Sequence, residues 1–492
     1  MRRCWVRMGG WWLAGWLGGA VLAAPAGAAL SERQVQSLEA TVREKYSRSW
    51  PELDTNQLAV LRGRAEAYEK GLRERHTPGG LVVSLRYADT NRLAEPTYEA
   101  TADSLTWTGF YLTALAYRFI VLRDGPVIPE IRRVLEGVER LTRVSGRDGY
   151  LPRFAGAAGD PAFRPVYAAY GGADPARPGF GRLAVAGTGP AAGQVWLAGP
   201  STEAYAGINL GLALTHKLIR DLRTRQLITN IVGSMMTRLE ADGWRLKDGR
   251  GNELFVDPLL RSALLRTAAT LNADRYGGEY ETRLKVAGAL DEPPLVRFGE
   301  LRPATLAVAS YFAIGALETN QSRRLLCQDR LTKVWRRALP ELNAWLAVAY
   351  ANAFDATPRD SVARGTLQGG LMQYPDPPRW AWSAATATRQ PGGAPVKTVR
   401  ANGSEWLAVP ALVADRAPAP FLWAETAHQI TPARQDPVVH SGVDYLVAFW
   451  MARDASLIPS EDTPPEEKTG LRPARARPGV GPTSSPATAA PR

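Results

Sequence analysis

Pairs of amphipathic helices joined by short links recur through most of this chain, and that pattern restricts its fold more than any other feature. Leu112, Leu115, Phe119 and Leu122 fall at intervals of three and four, which lines them along one helix face. Asp124-Gly-Pro126 breaks that helix, and Ile131, Leu135, Val138 and Leu141 line the next. The unit returns with Tyr205, Ile208, Leu212 and Ile219, followed by Ile228, Ile231, Met235 and Leu239. Further helices are expected at about 257–273, 278–289, 303–318, 322–338, 340–353 and 442–455. Thr224 and Ser322 read as N-caps, and Gly243 follows a helix end.

Ten or more helices with short links predict an array of αα-hairpins. No fixed sequence period is visible, which counts against a regular solenoid. Two long interruptions rich in Gly, Ala and Pro, roughly 148–200 and 373–438, count for a ring with elaborated loops. The expected fold is therefore all-α: an (α/α)6-like toroid of helical hairpins with the two long loops at one mouth.

The ends of the chain read differently from the middle. Arg2, Arg3 and Arg7 precede an apolar stretch from Trp11 to Ala24, and Ala26-Gly-Ala28 is a small-residue cleavage pattern. Residues 1–29 thus read as a secretory signal peptide cut near Ala28, too short to span a membrane, which needs about 20 apolar residues. No other window is long and apolar enough, so no membrane span is expected in the mature chain, and a periplasmic or secreted location follows. Residues 30–457 form the toroid domain, and 30–80 is its N-terminal helical extension. There, Leu58, Leu61, Ala65 and Tyr68 line one helix after a break near Trp50-Pro51, and residues 81–87 form a short strand or extended linker. Residues 458–492, dominated by Pro, Ala, Thr, Ser and Arg, read as a disordered low-complexity tail.

Charge and cysteine content exclude several functions. The formal charge is +12, but three positive charges lie in the signal segment and the tail from Thr463 adds a net three more, leaving about +6 for the body. Those arginines alternate with acids, as in Glu130-Ile-Arg-Arg-Val-Leu-Glu, so no nucleic-acid-binding stripe is expected. Cys4 leaves with the signal, and Cys327 alone makes neither a disulfide nor a cysteine metal site; it reads as a small buried residue. His76, His216, His428 and His440 are scattered, without metal-ligand spacing, and His216 reads as a packed helix residue. Asp242-Gly-Trp-Arg-Leu-Lys-Asp248-Gly-Arg-Gly-Asn252-Glu253 does not fit an EF-hand and reads as a β-turn linker, and the glycine-rich stretches lack the phosphate-loop ending. No metal and no cofactor are expected.

Two segments place a carboxylate and aromatics at the start of an amphipathic helix: Asp103-Ser-Leu-Thr-Trp107-Thr-Gly109-Phe-Tyr111 and Ser201-Thr-Glu203-Ala-Tyr205-Ala-Gly207. Glycoside hydrolysis needs two carboxyl groups, one to protonate the leaving oxygen and one to activate water or attack directly. Asp103 and Glu203 are the candidate pair, and Asp444, opening the last apolar helix, is a third. The competing role for all three is helix capping, since acids favour the first helical turn. Trp107, Tyr111 and Tyr205 are candidate substrate contacts. So are the loop residues Trp196, Trp380, Trp382 and Trp406, because an indole face stacks on sugar C–H groups. Trp335 and Trp345 lie on helices and read as core. A lyase would instead use Tyr150, Arg153 and His440 as base and carboxylate-neutralising group.

Asp103-Ser-x-x-Trp107-Thr-Gly-Phe-Tyr, Gly149-Tyr150-Leu-Pro-Arg153, Glu203-Ala-Tyr-Ala-Gly-x-x-x-Gly-Leu-Ala-Leu and Gly243-Trp-Arg-Leu-Lys-Asp-Gly together resemble a largely uncharacterised group of exported bacterial proteins. Their paired helices are similar to the six-hairpin (α/α)6-toroid glycosidase superfamily, and the resemblance covers roughly residues 80 to 455. It implies a toroid, a fold that hosts hydrolases, lyases, epimerases and non-catalytic relatives. It carries no catalytic motif onto these positions, so the site residues rest on their chemistry. The leading expectation is a glycoside hydrolase acting through paired carboxylates on a carbohydrate or other cell-envelope polymer. A uronate lyase or sugar epimerase, and a non-catalytic envelope binding or scaffold protein, are the alternatives. Oligomeric state is not readable from these features.

Overall fold

The computed structural model describes residues 53–90, 95–123, 125–170, 184–247, 253–285, 290, 301–353, 361–383, 397–399, 405–407 and 410–459. Residues 1–29, read from sequence as a signal peptide, and most of 458–492, read as a low-complexity tail, lie outside the described residues. The fold is mostly helical with small sheets. In chain order its α-helices are α1 (Thr55–Gly71), α2 (Ser104–Leu122), α3 (Val127–Val144), α4 (Arg164–Tyr170), α5 (Thr202–Leu218), α6 (Leu222–Ala241) and α7 (Pro258–Leu271). They continue as α8 (Ala273–Leu284), α9 (Leu301–Leu317), α10 (Gln321–Arg337), α11 (Ala344–Asn352), α12 (Ser361–Met372) and α13 (Val443–Asp454).

Two kinds of helix alternate. Helices α2, α9, α11 and α13 are apolar all round and buried along most of their length, as in Leu301–Leu317, where Ala304, Thr305 and every residue from Ala307 to Leu317 are buried. Helices α1, α3, α6 and α10 bury one face only; on α3 that face is Ile131, Val134, Leu135, Val138 and Leu141, with arginines and glutamates outside. A helix apolar all round must be covered on every side, whereas an amphipathic one faces water. The packing follows: α2 lies against α5, α5 against α7, α7 against α9, α9 against α11, α11 against α13, and α13 packs on α2 again. The amphipathic helices cover these from outside, α3 packing on α2 and α6, and α1 on α12 and α13. Cys327 of α10 is buried against Ala263 of α7 and Ile314 of α9, and burial pushes its thiol up to about 12.

Helices α2 and α5 approach closely. A Cβ on Gly109 would lie 1.9 Å from the Gly207 carbonyl oxygen, and one on Gly211 would lie 2.5 Å from that of Gly109. Only hydrogen fits there, so the two backbones touch. Among the described residues one helix, Thr101–Leu122, is long and apolar enough to cross a membrane, but 72% of its apolar window is buried within the protein.

The two long interruptions carry structure where the sequence reads as loop. The strands are β1 (Ser84–Arg86), β2 (Thr97–Glu99), β3 (Phe154–Ala157), β4 (Ala184–Ala186), β5 (Gln194–Leu197), β6 (Arg245–Lys247) and β7 (Glu253–Phe255). After them come β8 (Arg379–Ser383), β9 (Lys397–Val399), β10 (Glu405–Leu407) and β11 (Arg434–His440). A four-stranded antiparallel sheet runs β2-β1-β11-β8, with a register shift between Asp436 and Val439. A three-stranded sheet runs β3-β5-β4, and β6-β7 and β9-β10 are two-stranded. The stretch read as a β-turn linker is thus the β6-β7 pair.

Two boundaries differ from expectation for a clear reason. The caps of α6 and α10 are Asp221 and Asn320, whose side chains accept from Thr224 N and Arg323 N; the expected caps Thr224 and Ser322 lie inside the first turns. Asp and Asn are at least as good caps as Thr and Ser, and the nearer hydroxyl misleads. Helix α12 has no counterpart among the helices expected from sequence because Gly365, Gly369 and Gly370 interrupt its periodicity.

Candidate functional site

Asp103, Glu203 and Arg302 stand at the first turns of α2, α5 and α9, and the structure brings them together. Arg302 Nη2 donates to Asp103 Oδ1 at 2.7 Å. Its Nε lies 3.1 Å from Glu203 Oε1, within ion-pair range but not aligned as a hydrogen bond. Held to one guanidinium fork, the two carboxylates stand no more than about 8 Å apart. Their side chains are 19% and 29% exposed and that of Arg302 is 37% exposed, so water reaches the cluster. Burial alone would lower the Arg302 pKa, but Asp103 and Glu203 outweigh it and the net shift is upward.

Capping does not account for these acids. Asp103 occupies the N-cap position of α2 yet makes no side-chain cap bond. In α5 the cap is Ser201, which accepts from Ala204 N, so Glu203 reaches Arg302 instead. A third carboxyl joins them. Glu425 is half-buried in the segment before β11; burial raises its pKa, Arg302 partly offsets that, and the Asp103 charge adds to it.

Neither Arg302 nor Glu425 is among the candidates read from sequence, although both left a trace. A cation in the first turn of an apolar helix opposes the helix dipole and calls for acidic partners. An acid within Phe421-Leu-Trp-Ala-Glu425, an otherwise apolar run, calls for a cation in the same way.

Arg153 holds the two acidic turns in place. Its Nη1 donates to Ala102 O at 2.9 Å, its Nε donates to Gly199 O, and its own carbonyl accepts from Leu105 N. One side chain therefore ties the residue before Asp103 to the turn that leads into Glu203. Each of these turns uses left-handed backbone, at Ala100 (φ 54°) and Gly199 (φ 76°), and strain at a non-glycine such as Ala100 persists only where surroundings enforce it.

The aromatic candidates divide. Trp107 is buried and stacks on Phe421 at 4.6 Å with an interplanar angle of 3°; its indole N–H has no hydrogen-bond partner among the described residues. Tyr111 is fully buried and donates to Glu130, so it belongs to the α2–α3 contact. Tyr205 is fully buried beside Leu151, and burial raises its pKa. Tyr150 and Trp196 pack edge to face at 5.6 Å on the β3-β5-β4 side. Trp380 and Trp382 lie on β8, which supplies no group to the cluster, and Trp406 is in β10, where it pairs with Thr398; its side chain lies outside the described residues.

The remaining candidates stand elsewhere. Asp444 is fully buried and accepts from Arg379 Nη1 at 2.6 Å, Tyr374 Oη at 2.5 Å, Leu422 N at 2.6 Å and Tyr445 N at 3.2 Å. Four donors and no exposure make it the clasp that fastens the 419–423 segment and β8 onto the start of α13, rather than a group that meets a substrate. His440 is buried with Nδ1 3.0 Å from Ser84 Oγ, and burial, Arg379 and His76 hold its pKa well below the usual value. It does not meet Tyr150 or Arg153. Among the described residues no group of His, Cys, Asp and Glu is arranged to hold a metal ion. No protein-family model, curated protein or solved structure matches the chain.

Proposed function

We propose that this chain is an exported, glycan-active protein built as an (α/α)6-like toroid, and that it cleaves glycosidic bonds at the Asp103–Glu203–Glu425–Arg302 cluster. The toroid reading is supported by the alternation of enclosed and amphipathic helices and by the return of α13 onto α2. Export is supported by the positive start, apolar stretch and small-residue site at the N-terminus.

The observation that carries the activity is the gathering of three carboxyl groups, from three distant parts of the chain, around one partly exposed guanidinium. Glu425 is the proton donor in this reading, since burial shifts this half-buried carboxyl toward its protonated form. Asp103 or Glu203 then takes the proton of the attacking water, or attacks directly. Arg302 fixes both acids, and Arg153 fixes the turns that carry them. The lyase and epimerase reading has less support, because the guanidinium of Arg153 is engaged with backbone carbonyls and His440 sits beside Ser84.

Glycan binding without cleavage is the second reading. Trp107 is buried with Phe421 over one face, so it adds no open stacking surface to either reading. The test is release of reducing ends from a panel of neutral and acidic polysaccharides by the mature protein. Glu425→Gln should lower release at least about 100-fold with the helical spectrum retained, as should Asp103→Asn or Glu203→Gln. Parental rates in all three variants would reject cleavage at this cluster, and retention of a polymer with no product would favour the second reading.

A further inference from the structure

Between α12 and the segment 410–416 lies a cavity separate from the carboxylate cluster. It encloses about 30 Å³, and about 380 Å³ when its open mouth is counted. Leu342, Leu412 and Val413 give it apolar walls, and Thr366, Gln373 and Arg416 bring polar atoms to it. Gln373 is already engaged: its Oε1 accepts from Val413 N at 3.2 Å and pins the segment beside the end of α12.

Arg416 and Thr366 are buried there with polar atoms to spare. Arg416 is 3% exposed; its Nε donates to Ala411 O at 3.4 Å, and its Nη2 donates to Glu341 O at 3.0 Å and Leu342 O at 3.2 Å. Its Nη1 has no partner among the described residues. Ala411 and Leu342 are walls of the same cavity, so the guanidinium lies across it and Nη1 is the donor left over. Leu342 takes left-handed backbone (φ 45°) to present its carbonyl, a strain that a non-glycine keeps only where its surroundings enforce it. Thr366 Oγ1 is likewise buried without a partner. A threonine within a helix commonly returns its hydroxyl to the carbonyl four residues back, as Thr267 does to Ala263, and Thr366 does not.

Charge and size say what would fill the space. The printed bonds of the guanidinium go to neutral carbonyls, whereas its fork is shaped for an oxyanion. Burial lowers the Arg416 pKa to about 10 and Glu341 offsets only part of that. The Glu341 carboxylate is itself held by Thr426 Oγ1 at 2.9 Å and Ala427 N at 2.8 Å. The enclosed part has room for on the order of two water-sized groups, which suits the two oxygens of a carboxylate. A phosphate dianion would bring more acceptors than two donors satisfy, and the apolar walls suit a short alkyl end.

We propose that Arg416 and Thr366 form a binding site for a small carboxylate such as acetate, its oxygens on Arg416 Nη1 and Thr366 Oγ1 and its alkyl end toward the mouth. The site goes beyond the cleavage reading and does not rest on it, because none of its groups belongs to the Asp103–Glu203–Glu425–Arg302 cluster.

The experiment titrates the full mature chain with sodium acetate by calorimetry, in a carboxylate-free buffer, with sodium chloride at equal ionic strength as the control. Saturable binding in roughly the millimolar range is expected, as befits a ligand of so few atoms. Thr366→Val keeps the shape, removes the hydroxyl and should weaken binding about tenfold. Arg416→Lys, which lacks the Nη1 donor, should abolish it. Urea midpoints report whether each variant is folded; the Thr366 hydroxyl has no bond to lose, so Thr366→Val should keep or raise its midpoint and carries the test if Arg416→Lys does not fold. Arg302 is another partly open guanidinium, and Thr366→Val distinguishes the two because it leaves Arg302 untouched. Acetate heats equal to those of chloride, meaning that water alone fills the cavity, or parental affinity in folded Thr366→Val, would each overturn the site.

Discussion

All four histidines of this chain have their pKa values lowered, with burial the leading cause in each. His76 is buried with Nδ1 2.9 Å from Val83 O, and its pKa is pushed down to about 4; that of His216 is also pushed down to about 4. In the unfolded chain an imidazole takes up its proton near pH 6.5, whereas in the folded chain it resists until much lower pH. Between those values the unfolded state binds more protons, so stability is full above about pH 6.5 and falls as the pH drops toward 4. His76 alone contributes at most about 3 kcal/mol to that loss. Glu69 acts in the opposite sense: burial, only partly offset by Arg118 and the Trp450 hydrogen bond, pushes its pKa up to about 7, so its contribution is present below about pH 4.5 and fades by 7. Asp415 and Glu425, whose pKa values burial also raises, act with Glu69, but the four imidazoles and Glu318, whose pKa is lowered, outnumber them and predict a urea midpoint that falls on acidification from pH 7 to 4.5; a flat or rising midpoint would contradict it. The same scale shows the limit of the sequence. Asp103 and Glu203 are visible as acids opening helices, but Arg302, 199 residues beyond Asp103, and the still more distant Glu425 join them only through the fold. Asp444 looks identical to Asp103 in sequence, and only burial and four donors distinguish it.

At the scale of elements, the helices were legible because period and enclosure both leave a mark. The arginine–glutamate stripe of α3 announces an outside face, and the uninterrupted apolar run of α9 announces an inside position. Strands of three to seven residues leave no such mark, because β1 pairs with β11 from opposite ends of the chain and neither carries a period long enough to read. The glycines of α2 and α5 look like breakers in sequence but serve contact. Gly109→Ala would push a methyl group against the Gly207 carbonyl, where the nearest atom is backbone and cannot swing away. We expect a loss of about 3 kcal/mol or more, read as a lowered urea midpoint, or no soluble protein. Gly233→Ala, on α6, meets nothing within 4 Å and should leave the midpoint unchanged or slightly raised. Equal effects of the two would show that the α2–α5 contact is looser than described.

For the whole molecule, the last helix matters out of proportion to its length. α13 packs on α1, α2, α11 and α12, and Val443 to Ala452 are all buried. Tyr445 Oη donates to Leu61 O across 384 residues, and Trp450 Nε1 donates to Glu69 across 381. A chain ending at residue 441 would expose apolar surface on four helices at once, so it should lose cooperative unfolding and aggregate. A chain ending at residue 459 keeps every one of these contacts and should unfold like the full one. Calorimetry of the two distinguishes them, and a cooperative transition in the shorter chain would show that α13 is dispensable.

The pairing of Leu61 with Tyr445 also sets an order of events during synthesis. A ribosome releases α1 and α2 hundreds of residues before the helix that must lie against them, so these early segments wait with their sticky sides bare. Such a polypeptide completes its packing only once α13 has emerged, and until then it depends on whatever keeps nascent chains apart.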